Sequence, residues 1–276
     1  MPLPVFEIAC VVIIALTLAA MARRRPARDL LGDYLALAIA AFVGEDTCVA
    51  LYRYYAYAPG WHARLHHVPL LVPAIWPLVI LSARDVAGAL FPGTGRLRPL
   101  LVGAIVAFDA SLVEVVAVRA GLWSWAEPGH LGVPIIGVLG WGYFALGADW
   151  ALSLEVKRSR IVPRMLAVIA GPLAAHALIQ LTWWGGFRWG LRRDLGAGSL
   201  IAVALIGAAL LVPVLGARRA GRGISLDIAL PRMIAAGLFF VLLVTTAPSS
   251  APLWIHTLSV AVPYLAATRF SAPAAG

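Results

Sequence analysis

The chain has 276 residues, 62% of them hydrophobic and 13% charged, with a formal net charge of +9 and a mean hydropathy of +0.89. A soluble domain carries about 25% charged residues, so this stock cannot clothe a water-facing surface and a soluble fold is excluded. The positive excess is almost all arginine, Lys157 being the only lysine. It falls between apolar runs, where it would meet lipid headgroups rather than nucleic acid.

The first apolar run, 5–22, is followed rather than preceded by a positive cluster of Arg23, Arg24, Arg25 and Arg28. That polarity fits a spanning helix with its N-terminus outside, not a cleaved leader. Further runs at 33–52, 69–91, 98–120, 132–154, 161–183, 197–217, 229–247 and 251–268 approach or exceed the ~20 residues a crossing needs. The connections between them are short. The chain therefore reads as a single all-α integral membrane domain over 1–276, a polytopic bundle of about nine transmembrane helices. Arg96 and Arg98, then Lys157, Arg158, Arg160 and Arg164, then Arg218, Arg219 and Arg222 fall in alternate connections with the first cluster. Positive-inside logic places those connections in the cytoplasm, the N-terminus outside and the C-terminus inside, as in a prokaryotic cytoplasmic membrane. Arg188, Arg192 and Arg193 interrupt the alternation, which a re-entrant or shortened helix near 183–196 would resolve. Pro69 and Pro252 are placed to open helices, while Pro77 and Pro263 lie inside them as kink candidates. The two cysteines, Cys10 and Cys48, sit in apolar runs and form no disulfide framework or CxxC motif.

Ionisable groups inside a membrane are costly and tend to face a bundle interior or cavity, which makes each a functional candidate. The second span holds Glu45 and Asp46, the fourth Asp109 and Glu114, the fifth Asp149, and the sixth His176 and Gln180. Asp109 and Glu114, five residues apart, project about 140° from each other around the helix, so they need not share a site. The bland reading pairs such acids with Arg53, Arg84 or Arg119 near helix ends, above all Glu114 and Asp149. Glu45 and Asp109, deeper in their spans, are the better candidates for a protonated general acid and its partner.

Aromatic residues crowd the outer segment from Tyr52 through Tyr54, Tyr55 and Tyr57, with Trp76 beyond it. Their bland role is to anchor helix ends at the membrane surface. His62, His66 and His67 follow the tyrosines, and the i, i+4 spacing of His62 and His66 suggests zinc. No carboxylate or Cys motif completes that set, so no metal and no other cofactor is read. A third cluster, Gly121-x-Trp123-x-Trp125, precedes Gly132-Val133-Pro134 and Gly140-Trp141.

Taken together, Glu45, the Tyr-x-Tyr element (Tyr52 to Tyr54, or Tyr55 to Tyr57), Val68-Pro69, Trp76, Asp109, the Trp-x-Trp element, Gly132-Val133-Pro134 and Trp141 resemble a known pattern. It is that of the carotenoid biosynthesis proteins, the carotenoid 1,2-hydratases and bisanhydrobacterioruberin hydratase, over about residues 40–150. The chain departs from it at Val113-Glu114, where the family has Asp-Pro, and at Gly137, where it has Asn. The resemblance implies a lipophilic polyene substrate that enters from the lipid, and other carotenoid biosynthesis enzymes as partners. It implies a lyase without redox cofactor that hydrates a terminal isoprenoid double bond. Asp109 would be the acid and Glu45 the carboxylate that stabilises the cation or positions water. Tyr52, Tyr54, Trp76, Trp123, Trp125 and Trp141 would line the substrate site, their π faces stabilising the cation. Intramolecular capture of the same cation would make a cyclase instead, and a noncatalytic transporter or partner protein is the reading from a different class.

Overall fold

The computed structural model describes residues 1–127, 129–156, 159–188 and 196–269. Within them the chain is a helical bundle with almost no sheet. The helices are α1 (Leu3–Ala22), α2 (Ala27–Tyr52), α3 (Leu71–Leu90), α4 (Arg98–Arg119), α5 (Ile135–Leu152), α6 (Ile161–Ile179), α7 (Ala197–Arg219), α8 (Leu226–Thr246) and α9 (Ala251–Ala267). The first eight reach the length and apolarity of a membrane crossing, α4 with its preceding 3₁₀ turn and α6 with its continuation to Gly186. The ninth has 17 residues, or about 25 Å at 1.5 Å per residue, short of a hydrocarbon layer of about 30 Å. Leucine, isoleucine and valine side chains stand exposed along α1, α2, α6, α7 and α8. That outward apolar surface suits lipid as solvent.

Several predicted boundaries shift for identifiable reasons. The second helix begins at Ala27 because Pro26 precedes it and Asp29 sits in its first turn, where a carboxylate complements the helix dipole. Pro69 does not open the third helix. It lies in a short strand, since Arg64–Leu65 (β2) and Val68–Pro69 (β3) form a hairpin with His66 and His67 at its turn. Pro252 does sit in the first turn of α9, and Pro77 and Pro263 lie inside α3 and α9. α6 passes into a π-helix over Gln180–Phe187, a wider turn often found at functional sites. Lys157, Arg158, Arg192 and Arg193 lie outside the described residues.

One end of the bundle is closed by a second ribbon. Tyr55–Tyr57 (β1), just past α2, pairs antiparallel with Trp123–Trp125 (β4), just past α4. The N-terminus lies at this end, because the His62 backbone N–H donates to Glu7 at 2.9 Å. The opposite end carries the arginine-rich connections and the end of α9, where the Ile224 N–H donates to the Ala267 carbonyl at 3.0 Å. There the arginines are knitted into ion pairs: Arg24 and Arg25 with Asp85, Arg164 with Asp29 and Asp33, and Arg84 with Asp149 at 2.7 Å. The Arg84–Asp149 pair is the structural role that the sequence suggests for Asp149. The two ends of the described chain thus lie on opposite faces of the bundle.

α5 is the central helix, wedged between α4 and α6, and glycine permits the approach. A Cβ on Gly103 would come within 2.8 Å of the Gly142 carbonyl oxygen, and one on Gly142 within 2.8 Å of the Gly103 oxygen. Small residues at such crossings let membrane helices close on each other. Gly142→Val should therefore lower stability by about 1–3 kcal/mol, the usual cost of overpacking, and shift the adjoining Trp141. Thermal unfolding in detergent checks this against Gly88→Val, a position with open space around it, which should be nearly neutral.

Candidate active site

Beneath the β1–β4 ribbon an apolar cavity of about 510 Å³ runs into the bundle. Strand alternation shapes its roof. Tyr55, Tyr57, Trp123 and Trp125 all turn inward, while Ala56 and Ser124 face out and are exposed. Tyr55 lies against Trp125 with ring centroids 4.8 Å apart, and Tyr57 against Trp123 at 6.1 Å. Pairing the two strands therefore brings the Tyr-x-Tyr and Trp-x-Trp elements together over one hollow.

Two glutamates on the cavity wall receive these rings. Glu45, near the end of α2, accepts hydrogen bonds from the Tyr55 hydroxyl, the Tyr57 hydroxyl at 2.8 Å and the Trp76 indole N–H at 2.9 Å. Glu114 on α4 is 2% exposed and accepts three indole N–H groups, from Trp123 at 2.8 Å, Trp125 at 2.9 Å and Trp141 at 2.8 Å. In each case two donors meet Oε2 and one meets Oε1. A carboxylate offers about four acceptor sites, so each Oε1 keeps a lone pair for a further partner. Trp76 and Trp141, one on each glutamate, stack with centroids 4.4 Å apart, and Phe144 closes on Trp76 at 4.7 Å. Among the described residues no arginine, lysine or histidine forms an ion pair with either carboxyl. Burial and the neighbouring Glu45 push the hydroxyls of Tyr55 and Tyr57 well above the ordinary phenol range, so both remain proton donors.

Asp109 also lines the cavity, about 7.5 Å further along α4 from Glu114 at 1.5 Å per residue. Its surroundings are of another kind. Arg232 of α8 forms an ion pair with it and the Tyr264 hydroxyl of α9 donates to it, while Arg232 also donates to Ser82 at 2.7 Å. The Arg232 guanidinium lies 4.8 Å from the Tyr264 ring centroid. Asp109 is thus bound into a polar knot that ties α4 to α3, α8 and α9.

The remaining aromatic candidates divide. Tyr54 lines the cavity, and its hydroxyl accepts the Trp184 N–H at 2.7 Å; burial raises it to about 12. Tyr52 is not on the cavity wall. It stacks on Tyr54 at 4.9 Å and bonds His176 of α6 at 2.8 Å, because it is the last residue of α2, before the left-handed turn at Arg53 that leads into the ribbon. His176 is held from its other ring nitrogen by Thr47 at 2.8 Å. Trp76, Trp123, Trp125 and Trp141 all line the cavity, and each presents its N–H edge to a glutamate.

The residue that sequence reasoning undervalued is Glu114, read there as a partner for arginine. A signal was present: Trp123 and Trp125, alternate residues of a short segment that runs just past α4, can both fold back onto its last two turns. Gly137 gains a role here too. A Cβ at this position would come within 2.6 Å of the Trp125 ring, so the missing side chain is what lets that indole reach Glu114. Gly137→Asn should displace Trp125 from Glu114 and lower stability by about 1–3 kcal/mol, the usual cost of overpacking. Thermal unfolding in detergent checks this. Compared with known proteins, the chain matches no family model, no curated protein and no solved structure.

Proposed function

We propose that the protein is a membrane enzyme of carotenoid biosynthesis that hydrates a terminal isoprenoid double bond of an acyclic polyene by acid catalysis. One observation carries the reading. Two glutamates, each held among the described residues by neutral N–H or O–H donors, look into one apolar, aromatic-walled cavity large enough for a prenyl end group. Such a site suits carbocation chemistry, in which a carboxylic acid protonates carbon and π faces stabilise the charge by about 2 kcal/mol or more when desolvated.

The acid role goes to Glu114 rather than Asp109, because Asp109 is committed to Arg232 whereas Glu114 has no cationic partner among the described residues. The Glu114 carboxyl gives its proton to the less substituted carbon, the double-bond electrons form the new C–H bond, and a tertiary cation results. Water adds to that cation as Glu45 takes a water proton, which leaves Glu45 protonated and Glu114 ionised; water in the cavity then returns the proton from Glu45 to the open Oε1 lone pair of Glu114. Indoles at Glu114 cannot carry protons in this way, since they are donors only. Lipid-facing helices let the polyene enter from the bilayer. The arginine-rich end is assigned to the cytoplasm of a prokaryotic cell, leaving the ribbon and N-terminus outside. Other enzymes of the same pathway would supply the substrate.

A cyclase is the second reading, favoured by the scarcity of polar lining around the two acids. With water excluded, an internal double bond would attack the cation and Glu45 would remove a proton from carbon. Expression in a lycopene-producing host separates these outcomes. A pigment heavier by one water supports hydration, an isomer of equal mass supports cyclisation, and unchanged pigment with verified membrane protein overturns both.

A further inference from the structure

We propose that Asp46, His66 and His67 form a binding site for one divalent transition-metal ion of the zinc class where the β2–β3 hairpin meets α2, apart from the glutamate cavity. The hairpin turn between β2 and β3 delivers both histidines to the last turns of α2. Their rings lie 3.8 Å apart, centroid to centroid. His66 Nδ1 stands 2.8 Å from Asp46 Oδ2, and one ligand atom from each of the three side chains falls within 4.8 Å of the others. Tetrahedral zinc with bonds near 2.1 Å spaces its ligands about 3.4 Å apart, a distance these partly exposed side chains reach by rotation. Two imidazoles and one carboxylate, with the outward position left to water, form a ligand set typical of that metal class.

The local architecture supports a ligand rather than an incidental ion pair. His66 adopts φ of +51°, a left-handed conformation that glycine or asparagine would take with less strain, so a costly residue occupies the turn. The His67 backbone N–H donates to Asp46 Oδ1 at 3.1 Å, an outer contact of the kind that orients metal-binding carboxylates. His62, four residues before His66, is not part of the group; it pairs with Glu7. Because Asp46 follows Glu45 directly, a bound ion would clamp the β2–β3 hairpin to the helix that carries a cavity glutamate.

The test uses the full chain in detergent micelles or nanodiscs after stripping with a chelator. Titration with Zn²⁺ by calorimetry should give one equivalent, and Co²⁺ should develop visible ligand-field absorption that Zn²⁺ abolishes. His66→Ala, His67→Ala and Asp46→Asn should each weaken Zn²⁺ affinity on the order of 10-fold or more, whereas His62→Ala should leave it unchanged. Zn²⁺ should also raise the Tm of the unsubstituted protein and not of the double variant His66→Ala/His67→Ala. If the variants fail to fold, acylation of His66 and His67 in the native protein, read by peptide mass, should be blocked by one equivalent of Zn²⁺. Absence of saturable binding, binding that survives the double variant, or acylation indifferent to Zn²⁺ overturns the site and leaves an ordinary histidine–aspartate pair.

Discussion

Glu114→Gln should reduce product formation by a factor of about 10²–10⁴, the range that a positioned general acid contributes. The substitution keeps the shape of the side chain but removes the proton that the proposed reaction needs. It also has a structural cost that must be measured beside the activity. One amide oxygen can still accept the paired indoles, but the amide nitrogen then faces an indole N–H, as at Trp141, whose bond to Glu114 is 2.8 Å. Leaving a buried donor unsatisfied costs about 1–3 kcal/mol. Glu114→Asp separates the two effects, since it retains an acid while withdrawing it by one methylene. Loss of product in Glu114→Gln with product retained in part by Glu114→Asp, both at near-native unfolding temperatures, supports the acid role; full activity in a folded Glu114→Gln protein removes it. Glu45→Gln should give a loss of similar order, and if water capture rather than protonation is impaired, cyclised or isomerised material should appear in place of the hydrated product.

The second large effect concerns stability. Asp109→Ala should destabilise the bundle by about 3–5 kcal/mol, because it leaves the Arg232 cation buried without its carboxylate. Arg232→Met should do the same by leaving the Asp109 carboxylate without its cation, with the Tyr264 hydroxyl still donating to it. The double variant Asp109→Leu/Arg232→Met should recover most of that loss, since apolar replacement of a whole buried ion pair is often near neutral. Unfolding of the three proteins in one detergent gives the coupling directly. The same set bears on mechanism. A folded double variant that still makes product shows that Asp109 is architectural, whereas a folded double variant without activity returns Asp109 to the chemistry.

The metal test and the two acid substitutions are independent in what they can refute. Asp46 faces the β2–β3 hairpin while Glu45 faces the cavity, as neighbouring helical residues about 100° apart would. Asp46→Asn should therefore weaken metal binding without removing either glutamate, and its pigment profile reports whether the clamp influences turnover.

The sequence by itself determined the solvent and the helical class of the fold. Nine apolar runs separated by arginine clusters admit a helical membrane bundle and little else, because backbone polar groups in lipid must be satisfied within a helix. It also marked the tyrosines, tryptophans and Glu45 as a cluster worth attention, since aromatic and acidic residues are conspicuous against so apolar a background. What it left open was which acid meets which ring. Asp109 and Glu114 differ little as letters in an apolar helix. Only the fold brings Arg232, more than a hundred residues away, onto Asp109 and pairs two three-residue strands so that Trp123 and Trp125 close on Glu114. The histidine cluster follows the same rule: i, i+4 spacing pointed to His62 and His66, but a hairpin turn replaced the helix that spacing presumes and set His66 and His67 beside Asp46. Period and composition are local properties of a chain, while ion pairing, strand register and cavity walls depend on contacts between distant segments, which the tertiary structure alone decides.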